Sequence, residues 1–153
     1  MSRFDLLWDA HPGRDFVCDA TLFGNQCAMR IGVALRSIGA QLTGLKTCVT
    51  YDRRKFASHQ PGHTRSAQEV ANHFYRVTKG KGLDAKSFRI YTGSMTDNMD
   101  TLKDKSGMLF IMNGWGSTDH IDVWKGNGTT GELKGGQSDY FGRGSQVWLW
   151  EFD

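Results

Sequence analysis

The spacing of apolar residues changes near the middle of this 153-residue chain, and that change sets the tightest limit on its fold. In the N-terminal half, one run of apolar residues recurs at helical spacing: Cys27, Ile31, Ala34, Leu35 and Ile38. This run predicts a helix that begins near Asn25, whose side chain can cap the first turn, and that ends at Gly39. Shorter runs predict a helix at residues 4–8 and another that starts at Thr64 or Ser66 and stops at Gly80.

The C-terminal half instead carries short runs of β-branched and aromatic residues separated by glycine-rich turns: residues 88–91, 107–112, 120–124 and 146–152. Runs of this kind predict the strands of an antiparallel sheet. Helices followed by strands are the order of an α+β fold, in which N-terminal helices pack on one face of the sheet. The length fits a single domain over residues 1–153. Residues 48–51 also look strand-like, within a stretch that otherwise reads as a loop.

The charge pattern argues against nucleic-acid binding. The formal net charge is +3, and the basic residues are scattered apart from one cluster at residues 53–55, whereas phosphate binding needs several clustered cations. The apolar stretches are too short to cross a bilayer, so no membrane insertion is expected. The N-terminus lacks the basic start and apolar run of a signal peptide, so we expect synthesis in the cytoplasm without one.

The chain has three cysteines, Cys18, Cys27 and Cys48. Their spacing fits no zinc signature, and an odd number leaves at least one thiol outside any intramolecular disulfide. In an oxidising compartment, Cys18 with Cys48 is the pairing that spares Cys27; the alternative is two small buried side chains. His59 and His63 flank a Pro-Gly turn and could line a cleft or bind a metal, but no third ligand is evident. We therefore predict no metal site.

Cys27 is the candidate nucleophile because it lies in the first turn of the predicted helix. Unpaired amides and aligned peptide dipoles favour negative charge at that end of a helix. A thiolate is the nucleophilic form of cysteine, and the same amides could donate to the oxyanion of a tetrahedral intermediate. The alternative is a core cysteine on the apolar face of the helix.

His120 is the candidate general base, since a thiol nucleophile needs an imidazole within reach and a third group that orients it. It opens a predicted strand and shares one face of that strand with Asp122. We prefer Asp139 as the orienting carboxylate, because residues two apart on a strand are about 6.6 Å apart and have parallel side chains. Trp115, which precedes this strand, either walls the cleft or closes the edge of the core.

Two segments carry a resemblance to a known family: Asn-Gln-Cys-Ala-Met-Arg at residues 25–30 and His-Ile-Asp-Val-Trp-Lys-Gly at residues 120–126. Together with residues 138–141 and a closing strand at 147–151, they resemble the fourth family of type VI secretion amidase effectors. The resemblance implies a papain-like fold of the NlpC type.

The resemblance also assigns roles to individual residues. It implies that Cys27, His120 and Asp139 are catalytic. We further expect the substrate to be contacted by four residues: Asn25, Gln26, Trp115 and Asp122. The chain departs from the family pattern at Asp119, where glycine commonly precedes the histidine.

The family's activity sets the functional expectation. Its members hydrolyse the γ-D-glutamyl to meso-diaminopimelate bond of peptidoglycan stem peptides, without a cofactor. They are delivered by the type VI secretion apparatus, act in the periplasm of the target cell, and are blocked by a cognate immunity protein that occludes the active site. Two alternatives are a cysteine peptidase or transamidase that acts on proteins, and a non-catalytic module that binds the cell wall through the aromatic loop near Trp115.

Overall fold

The structure, a computed structural model, describes residues 1–48 and 63–153. The helices in this part of the chain are α1 (Arg3–Ala10), α2 (Cys27–Ser37), α3 (Ala67–His73) and α4 (Met99–Leu102). The strands are β1 (Ser87–Thr92), β2 (Ser106–Trp115), β3 (Thr118–Gly126), β4 (Gly131–Leu133) and β5 (Gln146–Glu151). Short 3-10 turns cover Thr96–Asn98 and Ser138–Gly142. The helical start and the strand-rich second half agree with the sequence pattern. The strand expected at residues 48–51 falls, apart from Cys48, outside the described residues.

The strands form one antiparallel sheet in the order β1-β5-β2-β3-β4. Because β4 pairs only with the last residues of β3, from Trp124 onward, the first half of β3 lies at an open edge of the sheet. The pairing of β2 with β3 is irregular between Ile111 and Trp115, where Asn113 has a left-handed φ of 56°. The β3 edge is therefore where loops from elsewhere in the chain can reach the sheet.

The hydrophobic core fills the space between the sheet and helices α1 to α3. Its members from the sheet alternate with residues on the other face: Met108, Phe110, Ile121, Val123, Trp148 and Trp150. A second cluster on the opposite face includes Leu109, Ile111, Trp124, Val147 and Leu149. The two largest fully buried side chains, Trp124 and Trp150, donate their indole N–H groups to the carbonyls of Leu102 and Phe74 at 2.8 and 2.9 Å, so neither pays the cost of an unpaired buried donor.

The helix boundaries follow local chemistry. Helix α2 ends just before Gly39, which has a φ of +85° that glycine adopts without steric cost. Helix α3 begins after Ser66, whose hydroxyl accepts from the backbone N–H of Glu69 at 3.2 Å. No helix in the described part of the chain has the length and apolarity that a bilayer crossing requires.

Candidate active site

The start of α2 and the start of β3 meet at one point. Cys27 is the first residue of α2, and His120 lies on β3. The side chain of Cys27 lies close enough to the imidazole of His120 to raise its pKa. Both are buried, at 6 and 7% exposure respectively. The fold therefore joins a thiol and an imidazole that are 93 positions apart in the sequence.

The imidazole of His120 is held on its other side by Asp122. The Nε2 atom of His120 lies 2.7 Å from Oδ2 of Asp122, which leaves Nδ1 to face Cys27. The Asp122 carboxylate is fully buried and also accepts from the backbone N–H groups of Val123 at 2.7 Å and Gly135 at 2.9 Å. A carboxylate with this many donors fixes both the position and the tautomer of the ring.

This geometry corrects the preference for Asp139. That residue lies in the 3-10 turn Ser138–Gly142 and is exposed, not on a strand paired with β3. The spacing argument against Asp122 considered Cα positions alone. The imidazole extends several Å from its own Cα, and its distal nitrogen Nε2 covers the gap to the next residue on the same face. The structure therefore brings together Cys27, His120 and Asp122.

The electrostatics of the group favour a charged pair. Burial acts to lower the pKa of His120, but the hydrogen bonds to Asp122 and Cys27 outweigh burial and raise the pKa to about 9. Burial acts to raise the pKa of Asp122, and the hydrogen bond and charge of His120 together lower it below its ordinary value. At neutral pH the ring is thus an imidazolium beside an ionised Asp122.

A second histidine, His11, lies on the far side of the same carboxylate. Its Nε2 atom is 3.6 Å from Oδ1 of Asp122, and its Nδ1 atom accepts from the backbone N–H of Gly13 at 3.0 Å. Because Nδ1 is an acceptor, the proton of a neutral ring sits on Nε2 and points at Asp122. Burial lowers the pKa of His11 to about 4, although Asp122 acts to raise it. The ring is therefore neutral at pH 7.

His11 had no distinguishing signal in the sequence and looked incidental. It sits in a His-Pro-Gly turn 111 positions before Asp122, and only the tertiary fold places it beside that carboxylate.

Gly136 approaches the Asp122 carboxylate from another loop. A Cβ atom at this position would lie 2.8 Å from the Tyr140 ring and 3.2 Å from Oδ2 of Asp122. The approach of this loop to the carboxylate therefore requires glycine.

Two clefts open on either side of the thiol–imidazole pair. One, of about 390 Å³, is lined by His120, Trp115 and Tyr140. The other, of about 280 Å³, is lined by Cys27. Both clefts share the same dividing residues: Asn25, Thr118 and Asp119. The pair thus sits where an extended substrate could run from one cleft into the other.

Aromatic rings hold His120 from the side of the larger cleft. The ring centroids of Trp115 and Tyr140 lie 6.0 and 5.0 Å from that of His120, both edge-on. Trp115 also contacts Tyr140 at 4.8 Å, and the Arg143 guanidinium lies over its face at 5.1 Å. Asp119 accepts from the backbone N–H of Asn113 at 2.8 Å and so fixes the irregular end of β2. Asp119 stands where the sequence comparison led us to expect glycine, and its carboxylate makes this hydrogen bond.

Asn25 and Gln26 both line the larger cleft, but their side chains make different hydrogen bonds. Asn25 lines both clefts, and its Oδ1 accepts from the Cys27 backbone N–H at 3.2 Å. The Gln26 side chain is 1% exposed; it accepts from Val17 and Cys18 N–H and donates to Cys18 and Phe23 carbonyls. All its amide hydrogen bonds go to the preceding loop. The structure therefore places Asn25 at the cleft and uses the Gln26 amide to brace the loop before α2.

The match to known proteins covers most of the chain. Residues 23–150 match the family described as type VI secretion system (T6SS), amidase effector protein 4. This chain belongs to that family. The family is abbreviated Tae4, and the matched residues contain both segments that carried the resemblance, 25–30 and 120–126. The expectation of an amidase effector is confirmed. Among curated protein sequences, none matches this chain.

Solved structures confirm the fold. The Tae4 effector of Salmonella typhimurium, in complex with the immunity protein Tai4 from Enterobacter cloacae, is 14% identical with a TM-score of 0.63, and the match covers 100% of both chains. The Tae4–Tai4 complex from Enterobacter cloacae is 15% identical with a TM-score of 0.65, covering 100% of this chain and 99% of the other. Tae4 from Enterobacter cloacae without Tai4 is 15% identical with a TM-score of 0.63, covering 100% and 98%.

Proposed function

We propose that this protein is a peptidoglycan amidase that hydrolyses the γ-D-glutamyl to meso-diaminopimelate bond of stem peptides in the periplasm of a target cell. The observation that carries the proposal is the placement of Cys27, His120 and Asp122 at the junction of two clefts, with the thiol beside the imidazole and the imidazole hydrogen-bonded to the carboxylate. These three residues supply the nucleophile, the base and the orienting carboxylate that acyl transfer through a thiol requires. Membership of the amidase effector family supplies the reaction class.

The reaction begins with the proton shared by Cys27 and His120. With the proton on the imidazole, the thiolate attacks the γ-carbonyl carbon of the D-glutamyl residue. His120 then donates that proton to the amine of diaminopimelate as the carbon–nitrogen bond breaks. A water molecule, deprotonated by His120, hydrolyses the thioester and returns the thiol to Cys27. Asp122 remains ionised throughout and stabilises the imidazolium.

The oxyanion site is marked by an oxygen that already occupies it. The backbone N–H of Cys27 donates to Oδ1 of Asn25 at 3.2 Å, so an acceptor oxygen fits against this first-turn amide. We assign this N–H to the oxyanion of the tetrahedral intermediate, which takes the place of the Asn25 oxygen when substrate binds. The free Asn25 side chain then contacts the substrate at the boundary of the two clefts.

One arginine lines each cleft, and the carboxylate of Asp119 lies at the boundary of the two. Arg30 lines the cleft on the His120 side, and Arg65 lines the cleft on the Cys27 side. A γ-linked glutamyl residue keeps a free α-carboxylate, and diaminopimelate carries a free carboxylate on its second stereocentre, beyond the scissile bond. One guanidinium on each side therefore matches the carboxylates on the two sides of that bond.

We propose further that a cognate immunity protein inhibits this chain by covering the clefts. The solved complexes pair Tae4 effectors with Tai4 immunity proteins. A toxin that is made in the cell that delivers it needs protection against its own activity, and occlusion of a narrow junction such as this one blocks substrate without altering the fold. Delivery by the type VI apparatus follows from the family.

The test is digestion of purified sacculi that contain meso-diaminopimelate. We expect the protein to release fragments with new diaminopimelate amino termini, identified by mass spectrometry. Cys27→Ala removes the nucleophile and is expected to lower the rate by more than about 10⁴-fold, with the circular dichroism spectrum unchanged. Active protein that yields no new diaminopimelate termini, or cleaves only protein substrates, contradicts the proposed substrate. A Cys27→Ala variant as active as the parent contradicts the mechanism.

A further inference from the structure

A second group of sulfur and nitrogen ligands lies away from the active-site clefts. Cys18, Cys48 and His63 each offer one ligand atom, and these atoms all lie within 4.8 Å of one another. All three residues are buried, at 1, 3 and 0% exposure. Cys18 lies in the loop before α2, whereas Cys48 and His63 directly follow and precede the two residues of the Thr47–Thr64 bridge. The sequence spacing did not reveal this group because the ligands converge only in the fold.

One distance in the group matches the edge of a metal-ligand tetrahedron, and the others lie within 4.8 Å. Zinc binds cysteine sulfur at about 2.3 Å and histidine nitrogen at about 2.0–2.1 Å, which places tetrahedral sulfur and nitrogen ligands about 3.6 Å apart. The Sγ atom of Cys48 lies 3.7 Å from Nδ1 of His63. The sulfur atoms of Cys18 and Cys48 lie within 4.8 Å of each other. No large movement is needed for the three atoms to share one ion.

Two neighbouring groups can stabilise a thiolate at Cys48. The backbone N–H of His63 donates to Sγ of Cys48 at 3.4 Å, as outer donors commonly do around metal-bound cysteine. The Arg36 guanidinium is close enough to Cys48 for an electrostatic attraction. Burial, followed by the hydrogen bond to Cys48, raises the pKa of Cys18 to about 11. A buried thiol of this kind stays protonated unless a cation compensates the charge of the thiolate.

We propose that Cys18, Cys48 and His63 bind a zinc ion. Two sulfurs and an imidazole nitrogen are soft to borderline ligands, which select zinc over magnesium or calcium. Binding exchanges the two thiol protons for the ion, so two protons are released to solvent as each zinc enters. Three protein ligands leave one coordination position for an exchangeable ligand.

The position of the site gives it a structural role for the active site. Gln26 binds both the N–H and the carbonyl of Cys18 and immediately precedes Cys27. On the other side, Cys48 donates its N–H to the His63 carbonyl at 2.8 Å, and the Thr64 hydroxyl donates to the Ala28 carbonyl at 2.6 Å. A zinc ion here therefore ties together the two loops that hold the first turn of α2.

The test measures metal, independently of enzyme activity, so its outcome is separate from that of the proposed function. Untagged protein purified without chelators is expected to contain about one zinc per chain by elemental analysis. Metal-free protein, prepared with a chelator and a reductant, is then titrated with Co²⁺. We expect the visible bands of tetrahedral cobalt together with a near-ultraviolet thiolate-to-cobalt band, and an upward shift in Tm when zinc is restored.

Variants locate the ligands. Cys18→Ser and His63→Asn are expected to lose the zinc and the cobalt bands, whereas Cys27→Ser, which removes the one thiol outside the group, is expected to keep both. If the ligand variants fail to fold, the cobalt spectrum of the parent protein still decides. Parent protein without zinc and without a cobalt spectrum overturns the proposal. A disulfide between Cys18 and Cys48 also overturns it. In that case freshly purified, denatured protein has one reactive thiol and a mass that is two hydrogen atoms below the value for three free thiols.

Discussion

In the part of the chain that the structure describes, cysteine sulfur lies beside a histidine ring in two places, and these places differ in the third partner of the group. At the cleft, the imidazole of His120 lies between Cys27 and the buried carboxylate of Asp122. In the second group, His63 lies beside Cys48, with Cys18 as the third ligand atom. Cysteine and histidine occur in both places. The third partner is the Asp122 carboxylate beside His120 and the thiol of Cys18 beside Cys48 and His63.

The contrast shows how the third partner decides the chemistry. A carboxylate raises the proton affinity of the ring and fixes its tautomer, which suits proton transfer. A second sulfur adds no base, and it completes a set of soft ligands that suits a metal. Exposure follows the same division, since the Cys27 and His120 pair borders two clefts while the Cys18, Cys48 and His63 group is enclosed.

After loss of the Cys27 nucleophile itself, the largest expected effect comes from removing the charge of Asp122. Asp122→Asn keeps the shape but cannot stabilise the imidazolium of His120 or impose its tautomer, and we expect kcat to fall by about 10³–10⁴-fold. Asp139→Asn is the matched control: this exposed residue in the 3-10 turn is expected to leave kcat within about twofold. Sacculus digestion by both variants, normalised to the folded fraction, measures the difference. A larger loss in Asp139→Asn than in Asp122→Asn would restore Asp139 as the orienting group.

Sequence reasoning reached the elements of the fold because their signals are local. The helical spacing from Cys27 to Ile38 and the glycine at position 39 reproduce α2 almost to its ends. The alternation in β3 placed Asp122 on the same face as His120. It went wrong at the next step, because a Cα separation along a strand does not measure how far an imidazole reaches. Choosing between two carboxylates needs side-chain geometry, which no periodicity contains.

The next effect concerns acid and the neutral ring of His11. With its pKa lowered from 6.5 to about 4, the folded protein binds fewer protons than the unfolded chain between these values. The contribution of His11 to stability is therefore fully present above pH 6.5 and is lost as the pH falls, by about 3 kcal/mol at pH 4. Urea unfolding between pH 7 and pH 4 measures it.

His11→Gln removes this titration and provides the control. Below pH 6.5, His120 is protonated in both folded and unfolded states, because its pKa is raised to about 9, so it adds no slope in this range. The variant is expected to be less stable at pH 7 but to lose about 3 kcal/mol less between pH 7 and pH 4 than the parent. Equal slopes for the two proteins would show that His11 does not hold a neutral ring against Asp122.

The alkaline side tests the opposite shift at the other ring. Because the pKa of His120 is raised to about 9, the imidazolium persists at neutral pH and is lost as the pH rises through that value. We expect kcat/KM to fall above about pH 9, by about tenfold per unit, as the proton needed by the leaving amine disappears. The value belongs to the coupled pair with Cys27. In Asp122→Asn the fall should begin at lower pH. A profile that stays flat through pH 10 would remove His120 from the role of acid.

The parts of the site that sequence reasoning missed are all tertiary. His11 and Gly135 belong to loops whose local patterns indicate only turns, yet both contact the Asp122 carboxylate. Gln26 lines the larger cleft, so its contact with substrate stays a prediction, while its amide hydrogen bonds hold the loop before α2, which no local pattern indicated. His63 gained its partners only when its loop packed beside Cys18. His59 lies outside the described residues.

The smallest expected effect distinguishes the open site from the enclosed one through Trp115. Its ring stands edge-on to His120 and lines the larger cleft. The Cys18, Cys48 and His63 group is buried instead. Trp115→Leu removes an aromatic contact of about 0.5–1.5 kcal/mol, so we expect kcat/KM to fall by about three- to tenfold, mainly through KM. Tyr75→Leu, a half-exposed aromatic change that contacts Phe88 and Trp148, serves as the matched control and should leave KM unchanged. A loss confined to kcat would mean instead that Trp115 acts by holding the ring of His120 in place. A residue that only lines the cleft affects substrate binding and therefore KM, whereas one that positions His120 affects proton transfer and therefore kcat.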